Sequence, residues 1–215
     1  MFSFLSLSLL SSAFAEPKEY TFDSKSSNLY VTVYKDESTL LSSQAHNHAI
    51  HAKNITAKLG WDAEDPSKCS ISISFPVEEM EVDSAQARVL AASKESDPKI
   101  KKGFEKSISD GDRKAVRKNM LSKGQLNGDK HKTISFQSTS CTEDSVTGDF
   151  TLRGVTKSIT MPAKFKTATE GAWKFLVKGQ FNIKATDYGF KPYSGLGGAV
   201  ANQDQMRINV YIKGQ

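Results

Sequence analysis

The stretch Ser70-Ile71-Ser72-Ile73-Ser74-Phe75-Pro76-Val77 decides the fold. Its apolar residues fall at 71, 73, 75 and 77 with serines between them, and only an extended chain places every second side chain on one face. The same period of two recurs on both sides. Leu29, Val31 and Val33 alternate with Tyr30, Thr32 and Tyr34. Ile134 and Phe136 follow, then Val146, Phe150 and Leu152. Ile159, Met161, Ala163 and Phe165 share a face, and Trp173, Phe175, Val177, Phe181 and Ile183 make the longest run. Met206, Ile208, Val210 and Ile212 close the series. With the histidine-rich stretch 45–51 and its continuation to Leu59, about eight or more strands are predicted, separated by Gly, Asp, Ser and Lys as antiparallel turns require.

One segment breaks the period. Ser84 to Ala92 has helical composition, Ile100, Phe104 and Ile108 recur every four residues, and 110–121 reads as a helix. Asp110 or Asp112 is its expected cap, Val116 and Met120 share a face, and Gly124 ends it. A helical insertion at about 84–123 is therefore expected in an otherwise all-β chain. An antiparallel up-and-down barrel or a sandwich accounts for the pattern. Eight strands closed on themselves leave room for side chains or for one small ligand, as in lipocalins. The phenylalanines 75, 136, 150, 165, 175 and 181 on the apolar faces suit either a lipid cavity or a filled core.

The chain of 215 residues fits one domain with a sizeable core. Residues 1–15 read as an export signal: an apolar and serine run too short to span a bilayer leads to the small-x-small pattern Ala13-Phe14-Ala15. The remaining 16–215 form the expected mature domain, periplasmic or secreted. The net charge of +5 is uneven. Thirteen Lys and Arg stand against six Asp and Glu between Ser84 and Lys132, an excess of seven, so the rest is slightly acidic. Such a basic face suits an anionic membrane surface or an acidic partner, and equally a solvated helical surface. Export makes a disulfide between Cys69 and Cys141 a natural expectation. Strand parity opposes it, since Cys69 falls on the apolar phase and Cys141 on the polar phase, so that a bulge or strand-end fraying is required.

The search for chemistry is mostly negative. No Gly-x-Ser-x-Gly elbow, His-Glu-x-x-His helix, Cys-x-x-Cys pair or phosphate loop occurs. Gly195-Leu196-Gly197-Gly198 precedes a strand, which fails the context of a nucleotide loop. His46, His48 and His51 remain. On a strand His46 and His48 face one way and His51 the other. Two same-face imidazoles fall short of the three or four protein ligands of a zinc site. A metal-dependent activity at His46 and His48 is thus an alternative, and a structural or ligand-contacting role at the barrel interior or mouth the main expectation. No catalytic residue, nucleic-acid site or required cofactor is expected.

Several landmarks in order carry a resemblance along nearly all of the mature chain. They are Tyr20-Thr21-Phe22-Asp23, the histidine stretch, Asp112 to Leu121, and Ile134-x-Phe136-x-Ser138. Gly148-Asp149-Phe150-Thr151-Leu152-Arg153-Gly154-Val155-Thr156-Lys157 is the most specific, and Asp187-Tyr188-Gly189-Phe190-Lys191-Pro192-Tyr193-Ser194 precedes the last strand. The chain resembles the YceI-like family of exported, lipocalin-like polyisoprenoid-binding proteins. The resemblance implies a long eight-stranded barrel holding an extended isoprenoid, such as a quinone tail, and no enzyme. Lys184 and Ala185 depart from the more polar pattern expected there. The expected ligand contacts are Phe75, Val77, Phe136, Phe150, Phe165, Phe175, Val177 and Phe181, with His46 and His48 near the head group. An accessory or stress-response protein acting through the basic helical face is the alternative.

Overall fold

The computed structural model describes residues 16–215, so the predicted export signal lies outside the described residues. Twelve strands form one antiparallel sheet: β1 (Lys18–Tyr20), β2 (Asn28–Lys35), β3 (His48–His51), β4 (Thr56–Trp61), β5 (Ser70–Pro76), β6 (Glu81–Val82), β7 (Thr133–Cys141), β8 (Ser145–Leu152), β9 (Val155–Thr167), β10 (Phe175–Lys184), β11 (Ser194–Gly195) and β12 (Val200–Gly214). The expected eight is thereby corrected. Eight strands run six residues or more, and the four others span two to four; β1, β6 and β11, of two or three, are too short to show a period.

Neighbours run β1-β4-β5-β7-β8-β9-β10-β12-β2-β3-β6, with β11 paired to β12 on the side. The sheet curls strongly. Beyond its pairing with β4, the first segment bridges Phe22 to Gly214, and Thr21 and Gln215 exchange backbone hydrogen bonds of 2.9 and 2.8 Å. The inward face is apolar because the alternation is obeyed. Ile71, Ile73 and Phe75 are buried, and the register lines up Ile73, Phe136 and Phe150 across three adjacent strands. Each buried side chain of this kind contributes about 1.5–3 kcal/mol.

Three helices leave the sheet between β6 and β7: α1 (Ala85–Lys94), α2 (Pro98–Glu105) and α3 (Asp110–Leu121). Ser84 and Asp97 cap the first two. Ser109, not Asp110 or Asp112, caps α3, accepting from the Asp112 amide while donating to its carboxylate, and the helix closes on Ser122 before Gly124. A hydroxyl at the non-helical position reaches the third amide, whereas Asp110 is already inside the helix. Ala87, Ala91, Ala92 and Phe104 of α1 and α2 pack against Tyr30, Tyr34 and Ala49 on the outer face of β2 and β3. These two strands are therefore buried on both faces, and all four residues of β3 are buried.

Cys69 and Cys141 are joined in a disulfide, with Cα atoms 6.0 Å apart. The parity objection is met by a bulge. Ser138 pairs with Gly148 but Ser140 pairs with Thr147, so one extra residue in β7 flips the strand and turns Cys141 inward. The turn at Arg153-Gly154 has positive φ at both residues, 52° and 74°, the two-residue hairpin geometry that matches strand twist. Arg153 then reaches outward, donating to the carbonyls of Gly189 at 2.7 Å and Lys123 at 3.3 Å. Two of the sequence landmarks thus meet in space, and the segment after α3 is tied to the loop before β11.

Candidate functional site

The curled sheet encloses an apolar cavity of about 180 Å³. Ile73, Phe75, Phe136, Phe150, Val177 and Phe181 stand on its wall. Val116 and Met120 of α3 with Phe190, Pro192 and Tyr193 complete one end, where Asn119, Gln125, Asn202 and Gln203 are polar and Asn119, Gln203 and Tyr193 are exposed. This end is the mouth. Gln125 donates to the Lys191 carbonyl at 3.1 Å and Gln203 to the Lys35 carbonyl at 3.1 Å, so both side-chain amides are partly occupied in holding the rim.

Four of the expected contacts lie elsewhere: Phe165, Phe175, Val77 and His46. Phe165 stacks on Trp61 with centroids 3.8 Å apart, and Phe175 stacks on Tyr20 at 5.0 Å. Together they fill the opposite end of the sheet, where β1 crosses from β4 to β12, and they close the cavity rather than line its wall. Val77 is buried, but β5 stops at Pro76 and the chain turns into a short 3-10 segment, so the alternation no longer aims it at the wall.

Strand parity holds for His48 and Ile50 but not for His46, which lies before the strand begins. His48 and Ile50 lie opposite Val33 and Val31, which line the cavity with them, and Ala49 faces the outer core under the helices. His51 is buried with its Nδ1 unpartnered among the described residues. His46 precedes the strand, is half-buried and stands off the cavity wall, its ring 6.4 Å from that of His48. Burial and, next, the neighbouring His48 pull its pKa below the ordinary imidazole value. Among the described residues no group of three or more His, Cys, Asp or Glu is arranged to hold a metal ion.

Two residues missing from the sequence reading organise the site. Asp83, between β6 and α1, has a fully buried side chain and sits at φ 52°. Its carboxylate lies 2.7 Å from Nδ1 of His48 and accepts from the Ala49 amide and from Arg88 Nη1, both at 2.9 Å. Arg88 also donates to the carbonyls of Asn47, Gly103 and Lys106 at 2.9, 2.8 and 3.1 Å. Burial opposes ionisation of Asp83, but the His48 hydrogen bond and the surrounding donors prevail and hold its pKa below the usual carboxylate value. Thirty-five residues separate His48 from Asp83, and no spacing rule links a strand histidine to a residue past a later strand. The one local signal is Ser84, whose capping role marks where the chain turns.

An antiparallel curled sheet around an apolar cavity, with helices on one flank, defines a class of small-ligand-binding folds. The chain belongs to the YceI-like family: the YceI-like domain model matches residues 20–213. Among solved structures it is similar to Burkholderia cenocepacia BcnA, at 14% identity and TM-score 0.60, covering 90% of this chain and 99% of that one. A polyisoprenoid binding domain from Saccharophagus degradans, implicated in plant cell wall breakdown, is similar at 9% identity and TM-score 0.50, covering 91% and 98%. A Campylobacter jejuni YCEI protein matches at 12% identity, TM-score 0.48, with 77% and 84% covered. A search of curated proteins found no match.

Proposed function

We propose that this protein is an exported carrier, periplasmic or secreted, that holds an isoprenoid or another long-chain lipid in the cavity of a lipocalin-like barrel. The observation that carries this reading is the enclosed wall of aliphatic and phenylalanyl side chains, closed by aromatic stacking at one end and rimmed by amides at the other. The polyisoprenoid-binding description of the Saccharophagus degradans domain supports it. Burying roughly 500 Å² of apolar ligand surface gives a gross gain on the order of 12 kcal/mol, which association costs reduce to an ordinary micromolar-to-nanomolar affinity. No catalytic group is required for that task. Organic extraction of protein purified from its native compartment, followed by mass spectrometry, should recover a long-chain lipid. Protein that carries none and takes up no added isoprenoid defeats the reading.

A second reading concerns delivery. Helix α3 shows Val116 and Met120 to the cavity and Lys114, Arg117 and Lys118 to solvent, so the basic surface lies at the mouth. That placement favours an anionic membrane as the partner of the basic face. Reversing Lys101, Lys102, Arg117 and Lys118 to Glu should abolish binding to vesicles containing anionic lipid, in a salt-sensitive way. Binding that is unchanged removes the idea.

A further inference from the structure

The cavity wall carries one polar group held by a network built for it. His48 is 8% exposed and stands on the cavity wall between Val33 and Ile50. Its Nδ1 faces the Asp83 carboxylate, which is an acceptor only when ionised, so the ring hydrogen on that side donates to Asp83. Arg88 already pairs the Asp83 charge, so the network needs no second cation, and the His48 ring is taken as neutral. Neutral imidazole has a single N–H. With that hydrogen committed at Nδ1, Nε2 presents a bare lone pair, and no protein hydrogen bond engages it among the described residues.

Building on the carrier reading, we infer that His48 Nε2 accepts a hydrogen bond from the ligand's head group, so that the cavity selects hydroxyl-headed isoprenoids. Prenols, prenylated phenols and quinols belong to that class. Quinones, aldehydes and ethers offer only acceptors, which oppose the lone pair instead of meeting it. Asp83 and Arg88 act as positioning residues that fix the tautomer. His48 lies at the mouth-side end of β3: Val33 opposite it pairs on the other side with Met206, near Asn202 and Gln203 of the rim. A head group bonded there leaves its chain pointing down the apolar wall toward the Trp61–Phe165 stack. Selectivity is set by the mismatch, because a carbonyl or ether facing a buried acceptor leaves both unpaired.

Displacement of an apolar fluorophore from the cavity tests this with three probes of one chain length: geranylgeraniol, its methyl ether and geranylgeranial. Wild-type protein is expected to bind the alcohol about fivefold more tightly than the ether or aldehyde, the effect of one net hydrogen bond. In His48→Leu the preference should vanish or invert while affinity for the ether stays within about twofold, since the apolar contacts remain. Equal affinities in the wild type overturn the inference and leave the carrier reading standing. A preference that survives in His48→Leu also overturns it, assigning selection to the rim amides. If none of the three displaces the fluorophore, both readings fall together. The wild-type comparison decides alone should the variant not fold.

Discussion

Replacing Asp83 with alanine tests whether the Arg88–Asp83–His48 network is a structural element as well as a polar handle. The side chain is fully buried and accepts three hydrogen bonds of 2.7–2.9 Å, one of them from a guanidinium. Truncation leaves Arg88 buried with only carbonyls for company, and breaking a buried pair on one side costs about 3–5 kcal/mol. The three carbonyls that Arg88 retains favour the lower end of that range. Alanine at φ 52° adds about 1 kcal/mol of backbone strain, so a loss of about 4 kcal/mol is expected. Asp83→Asn tolerates the left-handed conformation and keeps one acceptor, so about 2 kcal/mol is expected. Urea denaturation at neutral pH measures both. The folded-state pKa of Asp83 lies below its ordinary value of 3.8, so its contribution is complete above that pH and is lost as the pH falls through the lower folded value. The gap between wild type and Asp83→Asn should therefore be flat from neutral pH down to about 4 and narrow only below it. A loss under about 1 kcal/mol for Asp83→Ala, or a gap that closes near pH 6, refutes the reasoning.

Three further outcomes are expected. Ile73→Trp projects an indole into the cavity of about 180 Å³ and should weaken isoprenoid binding at least roughly tenfold at a stability cost of about 1–3 kcal/mol, read by fluorophore displacement and thermal melting. Unimpaired binding would place the ligand elsewhere. Reducing Cys69–Cys141, which are 72 residues apart, should lower the unfolding free energy by roughly 4 kcal/mol through loop entropy; a urea midpoint indifferent to reductant contradicts the bond. His46 has its pKa pulled below 6.5 by burial and His48, so folding disfavours its proton and stability should slip as the pH drops through 6.5. His46→Gln should flatten that slope in melts taken between pH 7.5 and 5.5.

The fold was legible where side chains obey a local period. Ser70 to Pro76 announces a strand because its serines face outward and its apolar residues meet Ile134 and Phe136 across the register. The long strands could be read in this way, as could β3 within the histidine stretch, but β1, β6 and β11 could not, since two or three residues carry no alternation. Tyr30 and Tyr34 were less informative. They look like the solvent-facing phase of β2 but are buried under α1 and α2, where Tyr34 donates to Glu95 at 2.6 Å and burial followed by that bond pushes its phenol up to about 12. A helical layer laid over a sheet turns a polar-looking face into a second core, and no residue within β2 reports that a later insertion will return to cover it. The bulge in β7 was equally hidden, although the cysteine parity required something of its kind.

The site divides along the same line. Parity placed His48 on the inner face and Ile50 beside it, because that follows from strand geometry alone. What makes His48 more than a buried ring comes from Asp83 and Arg88, which reach it through a chain reversal after β6 and one helical turn of α1. Those contacts are tertiary, so the sequence could present two histidines on one face and yet not distinguish a metal pair from a single oriented imidazole. In the structure His46 stands off the wall, its ring 6.4 Å from that of His48, and no group of three or more His, Cys, Asp or Glu gathers there among the described residues. A carboxylate that holds one ring nitrogen of a histidine in an apolar wall leaves the other nitrogen free to meet a head group.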